Sequence, residues 1–171
     1  MSERQATHAS DAHSGTLMLA PVSYAHPDVI RLVAAVQAEY VERYGSPDDS
    51  PIDLTEFADD NGLFLLGTLD GEPVATGAWR RSAVQALGGR RTAEIKRMYV
   101  APACRGAGHS RRILAELERT AAAAGYDTLV LETGMKQPEA IALYTSSGYQ
   151  PIPGFGFYCG SELSRCFGKR I

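Results

Sequence analysis

At 171 residues with a formal net charge of −3, the chain is long enough for one domain with a buried core, and its scattered charges exclude the basic face of a general nucleic-acid binder. Its apolar runs are too short to span a bilayer, and residues 1–15 lack the apolar centre of a secretory signal. They read as a mobile tail ahead of a single domain over residues 16–171. Cys104, Cys159 and Cys166 fit neither a zinc site nor a disulfide framework, which points to free thiols in a reducing cytoplasm and to no bound metal.

Thr16 to Val22 reads as a first strand. Pro27 suits the first turn of a helix, and Val29, Leu32, Val33, Val36 and Tyr40 recur at helical spacing up to a stop near Tyr44-Gly45. Ser46 to Pro51 is a turn-rich acidic linker, and Ile52 to Ala58 is expected as a second short helix. Gly62 to Leu69 and Glu72 to Ser82 read as strands joined by an Asp70-Gly71 hairpin turn. A glycine turn at Gly88-Gly89 leads into a third, Thr92 to Val100. Consecutive strands with short turns imply an antiparallel meander.

The pattern then changes. Ile113, Leu114, Leu117, Ala121 and Ala124 form the apolar stripe of a helix ending at Gly125. The strand Leu129 to Thr133 follows, and a strand, crossover helix and strand form a right-handed parallel unit. A short helix over Pro138 to Ser147, a strand from Gly148 to Pro151 and a last strand over Glu162 to Lys169 complete a mixed α/β sheet flanked by helices.

Between the third strand and its crossover helix lies Arg105-Gly106-Ala107-Gly108-His109-Ser110. The first N–H groups of a helix have no partners inside it, and the aligned peptide dipoles add partial positive charge there. A phosphate or pyrophosphate placed at that end receives hydrogen bonds that the fold supplies anyway. The spacing excludes a P-loop, which needs Gly-Lys-Ser/Thr after four residues. It also excludes the dinucleotide fingerprint, because Arg111 stands where the third glycine would be.

What remains is R-x-x-G-x-(small), carried by Arg105, Gly108 and Ser110. With the strand Met98-Tyr99-Val100 before it, the helix after it, the strand Leu129 to Thr133 and the segment Ala140-Ile141-Ala142-Leu143-Tyr144-Thr145-Ser146-Ser147-Gly148-Tyr149, it resembles the GNAT superfamily of N-acetyltransferases. The resemblance covers roughly the second half of the chain. It implies that Glu94–Val100 and Leu129–Thr133 are central parallel strands that splay apart, with acetyl-CoA in the wedge as co-substrate. The Met98, Tyr99 and Val100 backbone would bond the pantetheine amides. Arg105, Gly106, Ala107, Gly108, His109 and Ser110 would hold the pyrophosphate, with Arg111 either reaching a phosphate or serving as surface charge. Ser110 departs from the usual Gly or Ala; its hydroxyl is placed either to cap the helix or to donate to a phosphate. His109 fills the variable position, where solvent exposure or packing is the plain alternative to catalysis. Gln137 stands where many members carry Asn that bonds the cofactor.

Acetyl transfer to a mostly protonated amine needs a base. The resemblance makes Glu94 the first candidate; the alternative is a salt bridge to Arg97 or Arg80. Glu132 is the second, with binding of a substrate ammonium as its other role. Tyr144 matches the family tyrosine that protonates the departing thiolate and contacts the cofactor; the alternative is a core aromatic.

For the acceptor, Glu39, Glu42, Asp48, Asp49 and Asp53 provide negative charge suited to a cationic amine, or simply an acidic loop. Pro151 to Tyr158, with Phe155 and Tyr158, forms either a wall of a small pocket, a cover for the core or a dimer contact. The expected acceptor is a small-molecule amine or amino acid. A protein N-terminus or lysine is the rival within the same chemistry, and a non-catalytic acyl-CoA sensor the rival outside it. Neither nucleic acid nor membrane is expected as a partner, and the chain is read as a monomer or homodimer.

Overall fold

A computed structural model describes residues 15–171; the tail expected over residues 1–15 otherwise lies outside the described residues. The meander is β2 (Gly62–Leu69), β3 (Glu72–Ser82) and β4 (Thr92–Val100), all antiparallel neighbours. β1 (Met18–Pro21) adds to its outer edge against β2. Beyond β4 comes β5 (Thr128–Gly134), which runs parallel to it, then β7 (Ser164–Arg170) and the two-residue β6 (Gln150–Pro151). The seven strands form one mixed sheet in the order β1-β2-β3-β4-β5-β7-β6, the architecture that the sequence pattern implies.

Both faces of the sheet are covered, which explains the near-continuous apolar run Leu63–Leu66. Helix α1 (Pro27–Tyr44) packs Val29, Leu32 and Val36 against Phe64, Leu66, Ala78 and Tyr99. Proline at its first turn and Gly45 in the left-handed region at its end (φ 82°) set its limits. Helix α2 (His109–Ala123) packs Ile113, Leu114, Leu117 and Ala121 against Leu65, Trp79, Ile95, Leu129 and Leu131 on the opposite face. Helix α3 (Pro138–Ser146) lies between β5 and β6 in the chain. The helix expected over Ile52–Ala58 is instead a single 3₁₀ turn, Leu54–Phe57. Asp53 and Glu56 satisfy that one turn as a reciprocal capping box, and Ala58 is extended and ends it.

A bulge in β4 decides what faces where. Thr76 pairs with Tyr99 but Ala78 pairs with Lys96, so Arg97 and Met98 stand opposite Gly77 alone. Arg97 takes the extra turn with φ 54°, a conformation that costs a non-glycine residue about 1–3 kcal/mol. In an unbroken strand Ile95 and Tyr99 would share a face. Here Ile95 sits in the α2 core and Tyr99 in the α1 core, so the extra residue has reversed the phase of the strand.

Gly77 makes room for this arrangement. A Cβ there would lie 2.5 Å from Ile113 Cγ2 and 3.2 Å from Met98 Sδ. Gly77→Ala is therefore expected to lower unfolding stability by about 1–3 kcal/mol, the usual range for overpacking. Urea denaturation measures this, and an unchanged midpoint would show that α2 does not approach the bulge so closely.

Candidate active site

The parallel pair is short. β4 and β5 share only Thr92↔Thr128, Ala93↔Leu129 and Glu94↔Val130. Past Glu94 the strands part, and β5 continues on β7 from Leu131 to Gly134. Ala101 N–H bonds Val74 O on the β3 side at 2.8 Å. Strand alternation therefore turns Tyr99 toward β3, and Met98 and Val100 toward the open side. Those are backbone groups that a bound extended chain can pair, as an added strand would. A cavity of about 290 Å³ occupies the wedge, with Met98, Val100, Gln137, Ala140 and Tyr144 among its walls.

At one end the wedge meets the glycine loop. Gly106 (φ 82°) and Gly108 (φ 80°) are left-handed, and a Cβ on either would meet nothing within 4 Å. The loop thus presents bare backbone to open space. Gly108 is the N-cap of α2 and supplies no side-chain bond, so the first-turn amides remain free for an anion. This corrects the capping role considered for Ser110. Ser110 lies inside the first turn, where its hydroxyl can only assist the amides. With Gly106, Gly108, His109 and Arg111 it lines a depression of about 490 Å³. Ala107 is exposed and His109 half-buried. Arg111 donates to the Ser146 hydroxyl at 2.9 Å and the Ser147 hydroxyl at 3.2 Å, tying α2 to α3 beside the depression. Arg105 remains exposed but lies back along the strand end. Its Nε donates to Val100 O at 2.8 Å, its Nη2 meets Glu39 Oε1 at 2.5 Å, and its guanidinium lies over the Tyr99 ring. Glu39, expected at the acceptor, is thus a partner of the glycine loop.

The titratable groups of the wedge fall into bound and free. Glu94 is bound. Its Oε2 accepts from Arg80 Nε at 3.0 Å and pairs with Nη2 at 2.9 Å. Arg80 also holds Glu56 at 2.6 Å. The salt-bridge alternative describes Glu94, which lines none of the three cavities. Glu132 is free. It lines both the wedge and a second cavity of about 290 Å³, and its Oε2 is buried without a hydrogen-bond partner. Burial raises its carboxyl above the ordinary range, with the nearby Ser164 hydroxyl and Lys96 opposing and Glu94 and Asp48 adding to the rise. Tyr144 lies in the wedge wall, packed edge-on to Tyr149 at 5.7 Å. Burial pushes its phenol well above the usual value, so it stays protonated. Tyr40 faces both cavities and is raised to about 12, again mainly by burial.

The second cavity lies on the far side of Glu132. Tyr158 lines it and Phe155 does not; Phe155 is half-buried elsewhere in the last loop. Two loops meet over it. The Tyr158 hydroxyl donates to Asp48 Oδ1 at 3.2 Å and accepts from Asp49 N–H at 2.9 Å. Asp48 is held in turn by Arg97 Nη1 at 2.8 Å and by Gln37, which bonds its backbone N–H and C=O. Burial would raise Asp48, but hydrogen bonds from Ser50 and the charge of Arg97 outweigh it and hold the carboxyl below its usual value. Gln137 lines both cavities and donates to the Tyr44 hydroxyl at 3.3 Å. Sequence reasoning missed Tyr40, Lys96 and Arg97. The signal for the last two was present, since both are cations inside a strand otherwise rich in apolar residues. Among the described residues no group of three or more His, Cys, Asp or Glu side chains is arranged to hold a metal, and no helix is long and apolar enough to cross a membrane.

The comparisons agree with this geometry. Residues 30–149 match the Acetyltransferase (GNAT) family. An IAA acetyltransferase of Azospirillum brasilense is 35% identical over 136 residues, covering 80% of this chain and 86% of that protein. A putative acyl-CoA N-acyltransferase from Klebsiella pneumoniae is 31% identical, with a TM-score of 0.71 over 91% of this chain and 97% of its own. A GNAT family acetyltransferase from Elizabethkingia anophelis, solved with acetyl-CoA bound, shares the fold at 16% identity and a TM-score of 0.65, covering 91% of this chain and 98% of its own. A wedge between splayed strands, a glycine-led helix start without a side-chain cap and a family match across most of the chain make this protein a member of the GNAT acetyltransferase family.

Proposed function

We propose that the enzyme transfers the acetyl group of acetyl-CoA to the primary amine of a small molecule, by direct attack in a ternary complex. The observation that carries this reading is Glu132, whose side chain is shared by the walls of two cavities and whose buried Oε2 has no hydrogen-bond partner. One cavity opens onto the glycine loop and suits the donor; the other suits the acceptor. The bare glycine backbone and uncapped α2 fit a pyrophosphate, and the open edge at Met98 and Val100 fits the pantetheine amides. The acetyl-CoA bound to the Elizabethkingia anophelis relative supports the same donor. The Asp48–Tyr158 contact roofs the acceptor cavity, which favours a small amine over a protein terminus or lysine side chain.

Glu132 is assigned the base and Tyr144 the acid. The ammonium of the acceptor gives one proton to Glu132. Its freed lone pair forms the C–N bond at the thioester carbonyl as the C–S bond breaks. Tyr144 protonates the departing sulfur, and the second amine proton restores the phenol through solvent. Positioning both reactants in adjoining cavities supplies much of the barrier reduction.

Ionised Glu132 is the active form. Burial raises its pKa, so kcat/KM is expected to rise with pH along an acid limb that lies above the ordinary carboxylate range. Glu132→Gln should lower kcat about 10²–10⁴-fold and remove that limb. The stability effect has the opposite sign. The folded state holds this proton more tightly than the unfolded chain, so stability falls as pH rises through the window. Thermal melts at neutral pH should therefore find Glu132→Gln at least as stable as the parent. Loss of stability together with unchanged kcat would make Glu132 a structural residue.

Tyr144→Phe should lower kcat by about 10²-fold, within the range for a lost general acid, while calorimetric affinity for acetyl-CoA stays nearly unchanged. A large affinity loss with full rate at saturation would make Tyr144 a packing residue. Tight acetyl-CoA binding without acceptor-dependent thiol release from any amine or peptide would replace the enzyme reading with that of a sensor.

A further inference from the structure

Lys96 has no counterpart in the chemistry above. Its side chain is 13% exposed, and the only acidic oxygen within 4 Å among the described residues is Glu94 Oε1 at 3.6 Å, longer than a hydrogen bond. The other oxygen of Glu94 is committed to Arg80. Lys96 lines both the donor wedge and the roofed acceptor cavity. Glu132, also on both walls, keeps Oε2 without a partner, and no ion pair within 4 Å joins the two among the described residues. The neighbouring guanidinium groups are already used, Arg97 on Asp48 and Arg80 on Glu56 and Glu94. One cavity thus presents a nearly buried ammonium short of acceptors and a half-buried carboxylate whose buried Oε2 lacks a donor. The unpaired Glu132 oxygen is costly until a ligand completes it, and Lys96 offers a charge beside it with no close ion pair.

Resting on the reading of this enzyme as a small-amine acetyltransferase, we propose that the acceptor is a zwitterion of the amino-acid type, its ammonium directed to Glu132 and its carboxylate bound by Lys96. A simple monocationic amine would leave Lys96 unanswered, and an anion without an amine would leave Glu132 so. A dipolar ligand satisfies both and enters without changing the charge of the site. The cavity of about 290 Å³ has room for an amino acid, and Tyr44, Tyr158 and Leu163 offer an apolar and aromatic wall to its side chain. Lys96 is thus a specificity residue, and Glu132 keeps the role already given to it.

The test is steady-state thiol release from acetyl-CoA with three matched acceptor sets: free amino acids, their carboxamides and their decarboxylated amines. The wild-type enzyme should prefer the free amino acids by about 10-fold or more in kcat/KM, the value of a charge-assisted hydrogen bond. Lys96→Met should erase that preference through KM, leaving carboxamides within about 3-fold of wild type, less than one such bond is worth. Lys96→Arg should retain the preference in part. A wild-type preference for carboxamides or decarboxylated amines would overturn the proposal while leaving the acetyltransferase reading intact. So would an equal loss on amino acids and carboxamides in Lys96→Met, which would assign Lys96 to the transfer step. Thiol release with no acceptor in any set would overturn both readings together. Unimpaired binding of acetyl-CoA by Lys96→Met shows that the variant is folded, and the wild-type preference decides the matter even where it is not.

Discussion

The site depends on the early end of one strand pairing. β4 and β5 hold together for three register pairs and then separate. Buried backbone groups are almost always paired, so an interior strand edge left open calls for a ligand that can bond like a strand. The separation is stable because each strand has other commitments. β4 stays attached to β3 as far as Val100, and β5 transfers its remaining bonds to β7. The Arg97 bulge adjusts the phase of β4 beside the gap, sending Tyr99 into the α1 core. The same strand then delivers the chain to the glycine loop, so the open edge and the uncapped helix start are placed by one element.

Charge in the wedge is organised by exclusion. Arg80 takes Glu56 and Glu94; Arg97 takes Asp48; Arg105 takes Glu39. Each pair fastens different elements: the 3₁₀ turn to the sheet, the 46–51 loop to the bulge, and α1 to the phosphate loop. What these pairs leave over is Glu132 and Lys96. Desolvation raises the proton affinity of the Glu132 carboxyl, a condition suited to a base near neutral pH, whereas Glu94 is engaged by Arg80. The same pairing accounts for the roof over the second cavity, since Asp48 is held by Arg97 while it meets Tyr158.

Much of the fold was legible because its signals are local. Asp70-Gly71 marks the hairpin, the stripe Ile113–Leu117–Ala121 marks α2, and the switch from meander to crossover helix implies the parallel pair. The glycine loop was legible for the same reason, since a strand, two glycines and a helix start are contiguous. Which of the two candidate glutamates is ion-paired was not, because that rests on long-range register. Arg80 stands directly opposite Glu94 across β3 and β4, and no spacing rule reveals that without the strands aligned. The bulge hid the roles of Lys96 and Arg97, because a two-residue period fails across it. Of the two roles open to Ser110, the cap falls away because the N-cap position belongs to Gly108, a left-handed residue with no side chain to bond the first turn. The segment Ile52–Ala58 carries a helix-start signature in Asp53 and Glu56 but only one turn of chain before Ala58 is drawn into extended backbone.

Amide hydrogen exchange of Met98 and Val100, with and without acetyl-CoA, tests the open-edge account most directly. Both amides face the gap and should exchange readily in the free enzyme, then slow markedly when the donor is bound, while Tyr99, already paired to β3, changes little. Protection of Met98 and Val100 that is high without the donor, or unaltered by it, would contradict the claim that the splayed strand is the donor's binding edge.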